Sequence, residues 1–205
     1  MKDYSLWMSS GRDNEEMVFE MCEKSYVKIN QADFDFECII NDSNDWQKNV
    51  DKTILIRKDV YDIKYGDSVS FEDQSYLITV EREDRDFYWS GKMTRCNNSL
   101  TLMSEVRAIV DYDDVGKPIW DTQNIPVFFP SIVKSRNGLA DSDIDSKINI
   151  PDGSLLIAIG YTDHEELKLD KELAMYNQTY KITHLDYTQV INNTGVIVVQ
   201  ADLVV

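Results

Sequence analysis

KYGDSVSFEDQSYLITVEREDRDFYWSGKMTRCNNSL, residues Lys64 to Leu100, decides how this chain is read. Val69 and Phe71 alternate with serines; Tyr76, Ile78 and Val80 alternate with Leu77, Thr79 and Glu81; Phe87, Trp89 and Met93 share a parity around Gly91. A two-residue period belongs to strands with one buried and one wetter face, whereas a helix would repeat every three to four residues. Gly66-Asp67, Glu72-Asp73 and Glu83-Asp84-Arg85-Asp86 supply polar turns between the runs. Three consecutive strands are predicted, with no catalytic centre among them, so a scaffold or assembly role leads.

The flanking sequence extends this pattern. DFDFECII (33–40) sets Phe34, Phe36, Cys38 and Ile40 against Asp33, Asp35 and Glu37, which predicts another half-buried strand. NDSNDWQKN (41–49) is a polar loop carrying Trp46, and TILI within Lys52 to Arg57 is a short buried strand. TLMSEVRAIVDY (101–112) is rich in β-branched residues and runs into Asp113, Asp114 and Gly116, so strand is favoured over helix. IWDTQNIPVFFP (119–130) follows as a strand whose Pro126 suits an edge. LLIAIG (155–160) is a buried strand, and further strands are expected near 173–176, 179–185 and 195–204.

Only residues 13–26, DNEEMVFEMCEKSY, read as helix. Asp13 is placed to cap with Glu16 three positions on, and Val18, Met21, Cys22 and Tyr26 form an apolar stripe at helical spacing. The fold class expected is mainly β: two tandem small barrel or sandwich modules with a short N-terminal helix. The boundaries are a helical segment at 1–32, a first β module at 33–104 and a second at 105–205 with a long polar loop at 135–154.

An internal echo supports two modules. A shift of 104 residues lays 74–96 over 178–200, matching Gln74/Gln178, Tyr76/Tyr180, Ile78/Ile182, Thr79/Thr183 and Gly91/Gly195. Ile63/Leu167, Val69/Leu173 and Phe71/Met175 keep their character upstream. A tandem duplication explains this, as do two hairpins built to the same alternation.

Composition narrows the function classes. A chain of 205 residues buries enough surface to fold without a disulfide or metal. Its net charge of −16 disfavours a dedicated nucleic-acid binder, which needs basic residues to displace counterions. The same charge leaves room for a protein that DNA slides past without sticking, and its plain reading is that acidity aids solubility. Cys22, Cys38 and Cys96 are scattered and odd in number, which fits free thiols in a reducing cytosol. The opening MKDYSLWMSSGRDNEE has no apolar run of signal-peptide length, and no segment nears the ~20 apolar residues of a membrane helix. Assembly in a cytoplasm is expected.

Few residues invite a chemical role. His164 and His184 stand 20 apart, and His184 aligns with Val80, which suits a sheet residue better than a base. No phosphate loop, nucleophile elbow or zinc-protease signature occurs. Asp141-Ser142-Asp143-Ile144-Asp145 through Ile148 to Asp152 imitates a calcium loop, but Ser146 stands where that loop needs Gly and Pro151 where a helix should begin. A solvated acidic loop is the reading preferred. No catalytic, cofactor-binding or metal-ligating residue is assigned, no cofactor is expected, and the chain is read as not an enzyme. Trp46, Trp89 and Trp120 are possible interface anchors, with core packing as the plainer alternative.

The order Asn41-Asp42-Ser43, Lys52-Thr53-Ile54-Leu55-Ile56, Tyr65-Gly66-Asp67-Ser68-Val69, Tyr76-Leu77-Ile78-Thr79 and Arg95-Cys96-Asn97-Asn98-Ser99-Leu100 resembles minor structural proteins of tailed phages of Gram-positive bacteria, the head–tail connector or head-closure proteins of the neck. Thr179-Tyr180-Lys181-Ile182-Thr183, followed by Gly195, is similar to that family's last hairpin. The resemblance implies a virion protein forming a homo-oligomeric ring between portal or adaptor and tail proteins. Genomic DNA would pass through it without sequence-specific binding, and no membrane or enzymatic activity is implied. Competing readings are a monomeric β-sandwich that binds carbohydrate or a host protein, and an acidic DNA mimic.

Overall fold

A computed structural model of the chain describes residues 17, 19–42, 51–80, 82–85, 87–135 and 153–204. The first unit contains strands β1 (Ser25–Ile29), β2 (Phe36–Asp42), β3 (Asp51–Arg57), β4 (Ser68–Phe71), β5 (Gln74–Ile78), β6 (Glu83–Asp84) and β7 (Tyr88–Arg95). Then come β8 (Asn98–Tyr112), β9 (Pro118–Ser135), β10 (Ser154–Gly160), β11 (Glu172–Met175), β12 (Gln178–Asp186), β13 (Val190–Ile191) and β14 (Thr194–Leu203). The chain is mainly β, as its alternation predicts. Its compact units are Met1–Cys96 with Val190–Val196, and Asn97–Gln189 with Ile197–Val205. Strand β8 runs through residue 104 without a break, and Ser25–Ile29 is part of the first sheet.

The first sheet curls into a barrel. Strands run β3-β2-β1-β4-β5-β7, and β7 returns to pair with β3, so only β6 hangs outside the ring. Closure puts one parity of each strand inside: Val27, Ile29, Cys38, Ile54, Ile56, Val69, Ile78 and Met93 are all buried there. The β4–β5 hairpin registers Val69 on Tyr76. Its turn residues Glu72 and Asp73 both have positive φ, 49° and 58°, the backbone whose twist matches the flanking strands. Gly91 lies opposite Ile54, and its missing side chain leaves room for the Ile54, Ile63 and Ile78 methyls.

The second sheet repeats this plan. Its order is β8-β9-β10-β14-β12-β11, which maps strand for strand on β1-β2-β3-β7-β5-β4. The shift of 104 is physical: Val69↔Tyr76 becomes Leu173↔Tyr180, and the Glu72-Asp73 turn becomes Tyr176-Asn177 at φ 53° and 59°. Even the backbone bonds before the hairpin recur. Gly66 N–H to Ile78 O and Ile78 N–H to Asp67 O match Asp170 N–H to Ile182 O and Ile182 N–H to Lys171 O. The last strand breaks the shift, because Tyr76 pairs with Arg95 whereas Tyr180 pairs with Leu203, an offset of 108 from 95. Gly91/Gly195 is therefore a coincidence of the ungapped alignment: Gly195 sits beside the β13–β14 turn, opposite Val190.

Three expectations need correction. The helix at 13–26 persists only at Met17 and Phe19–Met21 among the described residues, and Ser25–Ile29 is strand β1. Val27 and Ile29 are drawn into the barrel between β2 and β4, so tertiary pairing overrides the helical spacing. Of the apolar stripe, Met21, Cys22 and Tyr26 are exposed, and Phe19 is the buried residue instead. Phe34 precedes β2 and is exposed, its ring centroid 4.8 Å from that of Phe36 and tilted 56° to it. Glu83-Asp84, expected as a turn, is strand β6 pairing with Ser90 and Trp89. Asp13, Glu16, Val18 and Trp46 lie outside the described residues.

Candidate interaction surface

The two units differ most where β8 and β9 replace β1 and β2. The first pair has 5 and 7 residues, the second 15 and 18. The sequence supports such length because Val106, Ile109 and Val110 in one strand and Ile119, Thr122, Ile125 and Val127 in the other are β-branched, with no Gly to end either run. Strand β10 pairs with β9 only from Ser131 to Ser135, so residues 118–130 have β8 as their ladder partner. The result is a two-stranded arm growing from the second sheet.

Its far end is well built. Asp113 Oδ1 accepts from Val115 N–H at 3.0 Å and Lys117 N–H at 2.7 Å, and Gly116 takes φ 80°. A bulge between Ile109 and Asp111 sharpens the twist beside the turn. Pro126 and Pro130 lie in the strand without breaking its pairing with β8. Pro126 falls in the stretch beyond β10, where a missing N–H costs no ladder bond.

Both faces of the arm carry apolar side chains among polar ones. Met103, Ile109, Trp120 and Tyr112 follow one parity of the ladder; Ser104, Ile125, Val106 and Ile119 follow the other. Met103, Val106, Ile109, Val110, Tyr112, Ile119, Trp120 and Ile125 are all exposed, Trp120 by 58%. At their fractional exposures these side chains present on the order of 800 Å², about one partner's share of a standard protein interface. A two-stranded ribbon is marginal by itself in water, and this one leaves its apolar side chains uncovered.

Among the described residues, no ladder closes the second barrel at the root of the arm. In the first, Lys28 and Ile29 of β1 pair with Ser70 and Val69 of β4. In the second, Glu166 Oε2 accepts the Met103 N–H at 2.6 Å and spans the equivalent seam with a side chain. Glu166 is itself anchored, its N–H donating to His164 Nδ1 at 3.2 Å, while the His164 ring stands edge-on to Phe129 at 5.9 Å. His164 thus positions a seam, which takes up one ring nitrogen and the ring face. It also borders a hollow of about 350 Å³ with Tyr161, Asp163, Lys168 and Tyr187.

The other residues singled out by sequence are dispersed. His184 is exposed in β12 next to the bulge at Ile182/His184, in a sheet as expected but less buried. Trp89 is half-buried, with Arg82 over its ring at 3.8 Å and Lys58 at 4.6 Å. Those cations also pair with Asp62 and Asp84, which makes Trp89 part of a salt-bridged barrel wall. Trp120 is the anchor candidate left open, at the end of the arm. The calcium-like stretch 141–152 lies outside the described residues, and among those described no group of three or more His, Cys, Asp or Glu is placed to hold a metal. Burial pushes the Cys38 and Cys96 thiols up to about 12, so both are protonated and unreactive at neutral pH.

Two family models match this chain end to end, the YomX N-terminal domain over residues 4–95 and the YomX C-terminal domain over 97–202. The chain belongs to the YomX family. The SPbeta prophage-derived protein YomX of Bacillus subtilis (strain 168) is 24% identical over 209 residues, covering 96% of this chain and 94% of that one. The YomX domains meet where the compact units part, at Cys96/Asn97. These matches mark the chain as phage-derived, in keeping with the resemblance drawn from its motifs. No solved structure matches the chain. Among the described residues of this YomX protein, no helix is long and apolar enough to cross a membrane.

Proposed function

We propose that this YomX-family chain is a structural protein of the phage neck, forming a ring between portal and tail that joins head to tail and passes or retains DNA. The observation that carries the reading is the β8–β9 arm, whose exposed apolar side chains suit assembly rather than turnover of a substrate. The prophage-derived relative supports the setting. Barrels repeated in tandem offer two differently decorated bodies per copy, enough for one neighbour above and one below. The charge of −16 then serves a bore through which a phosphate backbone moves without adhering.

Negative-stain imaging of the purified full chain, alone and with the portal protein of the same phage, tests this. Rings, or association that requires portal, are expected. A chain that stays clear of portal and tail proteins at all concentrations overturns the reading. Binding of glycans by a persistent monomer would favour the binding-module alternative.

A further inference from the structure

The long hairpin also carries a register code of its own. Strand β8 ends its sheet, so its outer edge is open to another strand. Met103 directs its N–H away from β9, to Glu166, and Thr122, the partner of Arg107, directs its N–H to Asp121 Oδ1 instead of the ladder. Before the bulge, the odd-numbered residues of β8 therefore present their backbone polar groups outward. Because Glu166 occupies Met103, the free edge begins at Glu105. An exposed apolar edge with no blocking Pro is a template for strand addition.

We infer that this edge pairs with the same edge of a second copy, antiparallel about a two-fold axis at Val106. That register sets Glu105 opposite Arg107 of the other copy, twice, and Met103 opposite Ile109. Odd residues meet odd residues, so Glu105 and Arg107 exchange backbone N–H···O=C bonds as well as charge. The neighbouring symmetric registers fail on charge: an axis at residue 105 opposes Glu105 to itself, and an axis at 107 opposes Arg107 to itself. Only the axis at Val106 satisfies both ions.

An anionic polymer is a poor rival occupant, since Glu105, Asp111, Asp113, Asp114 and Asp121 outnumber Arg107 and Lys117 on the arm. A two-fold contact closes at two copies. It is thus separate from any contact that builds a ring, and its failure would leave the ring reading standing.

Analytical ultracentrifugation of the full chain tests the pairing, with circular dichroism as the check on folding. The wild type is expected to dimerise. Glu105→Arg and Arg107→Glu each bring like charges together and should weaken the dimer at least tenfold, while the double swap restores it to within about threefold. Val106→Cys in a Cys22→Ser background should oxidise to a covalent dimer, because facing non-hydrogen-bonded residues lie about 4.5 Å apart at Cα, within disulfide reach. Ser104→Cys in that background should not. A wild type still monomeric at about 100 μM, a double swap no better than the singles, or equal cross-linking at 104 and 106 overturns the inference.

Discussion

The side chain of Asn97 holds the backbone of Val133 in both directions. Its Nδ2 donates to Val133 O at 2.8 Å, and its Oδ1 accepts Val133 N–H at 2.7 Å. An amide has the same donor and acceptor spacing as a peptide group, so Asn97 extends the β8–β9 ladder one step beyond its first backbone pair, Asn98↔Ser131. Val133 is buried. Asn97→Ala should cost about 2 kcal/mol, the loss of two bonds with a buried N–H left unsatisfied. Asn97→Asp keeps only the acceptor and should cost a similar amount. Urea unfolding measures both, and amide exchange at Val133 should accelerate with them.

Gly91 gives the opposite sign. A Cβ there would meet Ile54 Cγ2 at 3.5 Å and Ile63 Cδ1 at 3.7 Å, ordinary contact distances in the first barrel. Its φ is not in the left-handed region. The residue at the matching ladder position of the second barrel, 108 further on, is Val199, fully buried. Gly91→Ala is expected to stabilise by about 0.5 kcal/mol, chiefly by stiffening the unfolded chain. A Tm below that of the wild type would refute this.

That comparison shows what was legible beforehand. Alternation alone located most strands, because in a barrel each strand buries one parity whatever its neighbours are. The repeat was visible where it is local, in hairpins such as Val69/Tyr76 and Leu173/Tyr180, whose register the turn fixes. It was misaligned at Gly91/Gly195 because the four extra residues sit in a connection that has no period. Val27 and Ile29 were lost to a helix since two buried residues make too short an alternation to compete with the stripe around them. The arm was legible as strand but not as surface: Ile109 and Trp120 look like core residues until the ladder shows that no third strand reaches them. The Glu166–Met103 seam had no signal, since a carboxylate meeting an N–H 63 residues away leaves no trace in spacing.

Glu166 also limits the open edge. Removing its carboxylate in Glu166→Ala frees the Met103 N–H, which then exchanges faster and becomes available to Ile109 of a second copy. The expected cost in stability is about 1 kcal/mol, that of one bond to a charged acceptor near the surface. Self-association should meanwhile tighten, as the ladder gains one residue at each end. Glu166→Gln, which keeps an acceptor oxygen, should change neither by as much. Sedimentation of the three proteins side by side separates these outcomes, and weaker association in Glu166→Ala would count against an edge that pairs.

Asp67 sets a pH dependence in the first barrel. Its carboxylate is buried, accepting Asn30 Nδ2–H at 2.8 Å and Lys64 N–H at 2.8 Å. Burial raises its pKa above the ordinary aspartate value, and the two donors only partly offset that. The folded state therefore binds a proton more readily than the unfolded one. The stability this contributes is complete below the unfolded pKa, near 3.9, and is lost as pH rises through the folded value. Asp59, whose pKa is lowered by the Arg57 guanidinium, acts below that range, and its contribution cancels in a difference between two proteins that share it. Asp67→Asn cannot ionise. The wild type should lose stability relative to Asp67→Asn as pH climbs from about 3.9, with a constant gap below that point and again once Asp67 is fully charged. Urea midpoints of both proteins across pH 3 to 8 measure the gap; one that stays flat, or runs the other way, would show that the Asn30 and Lys64 bonds outweigh burial.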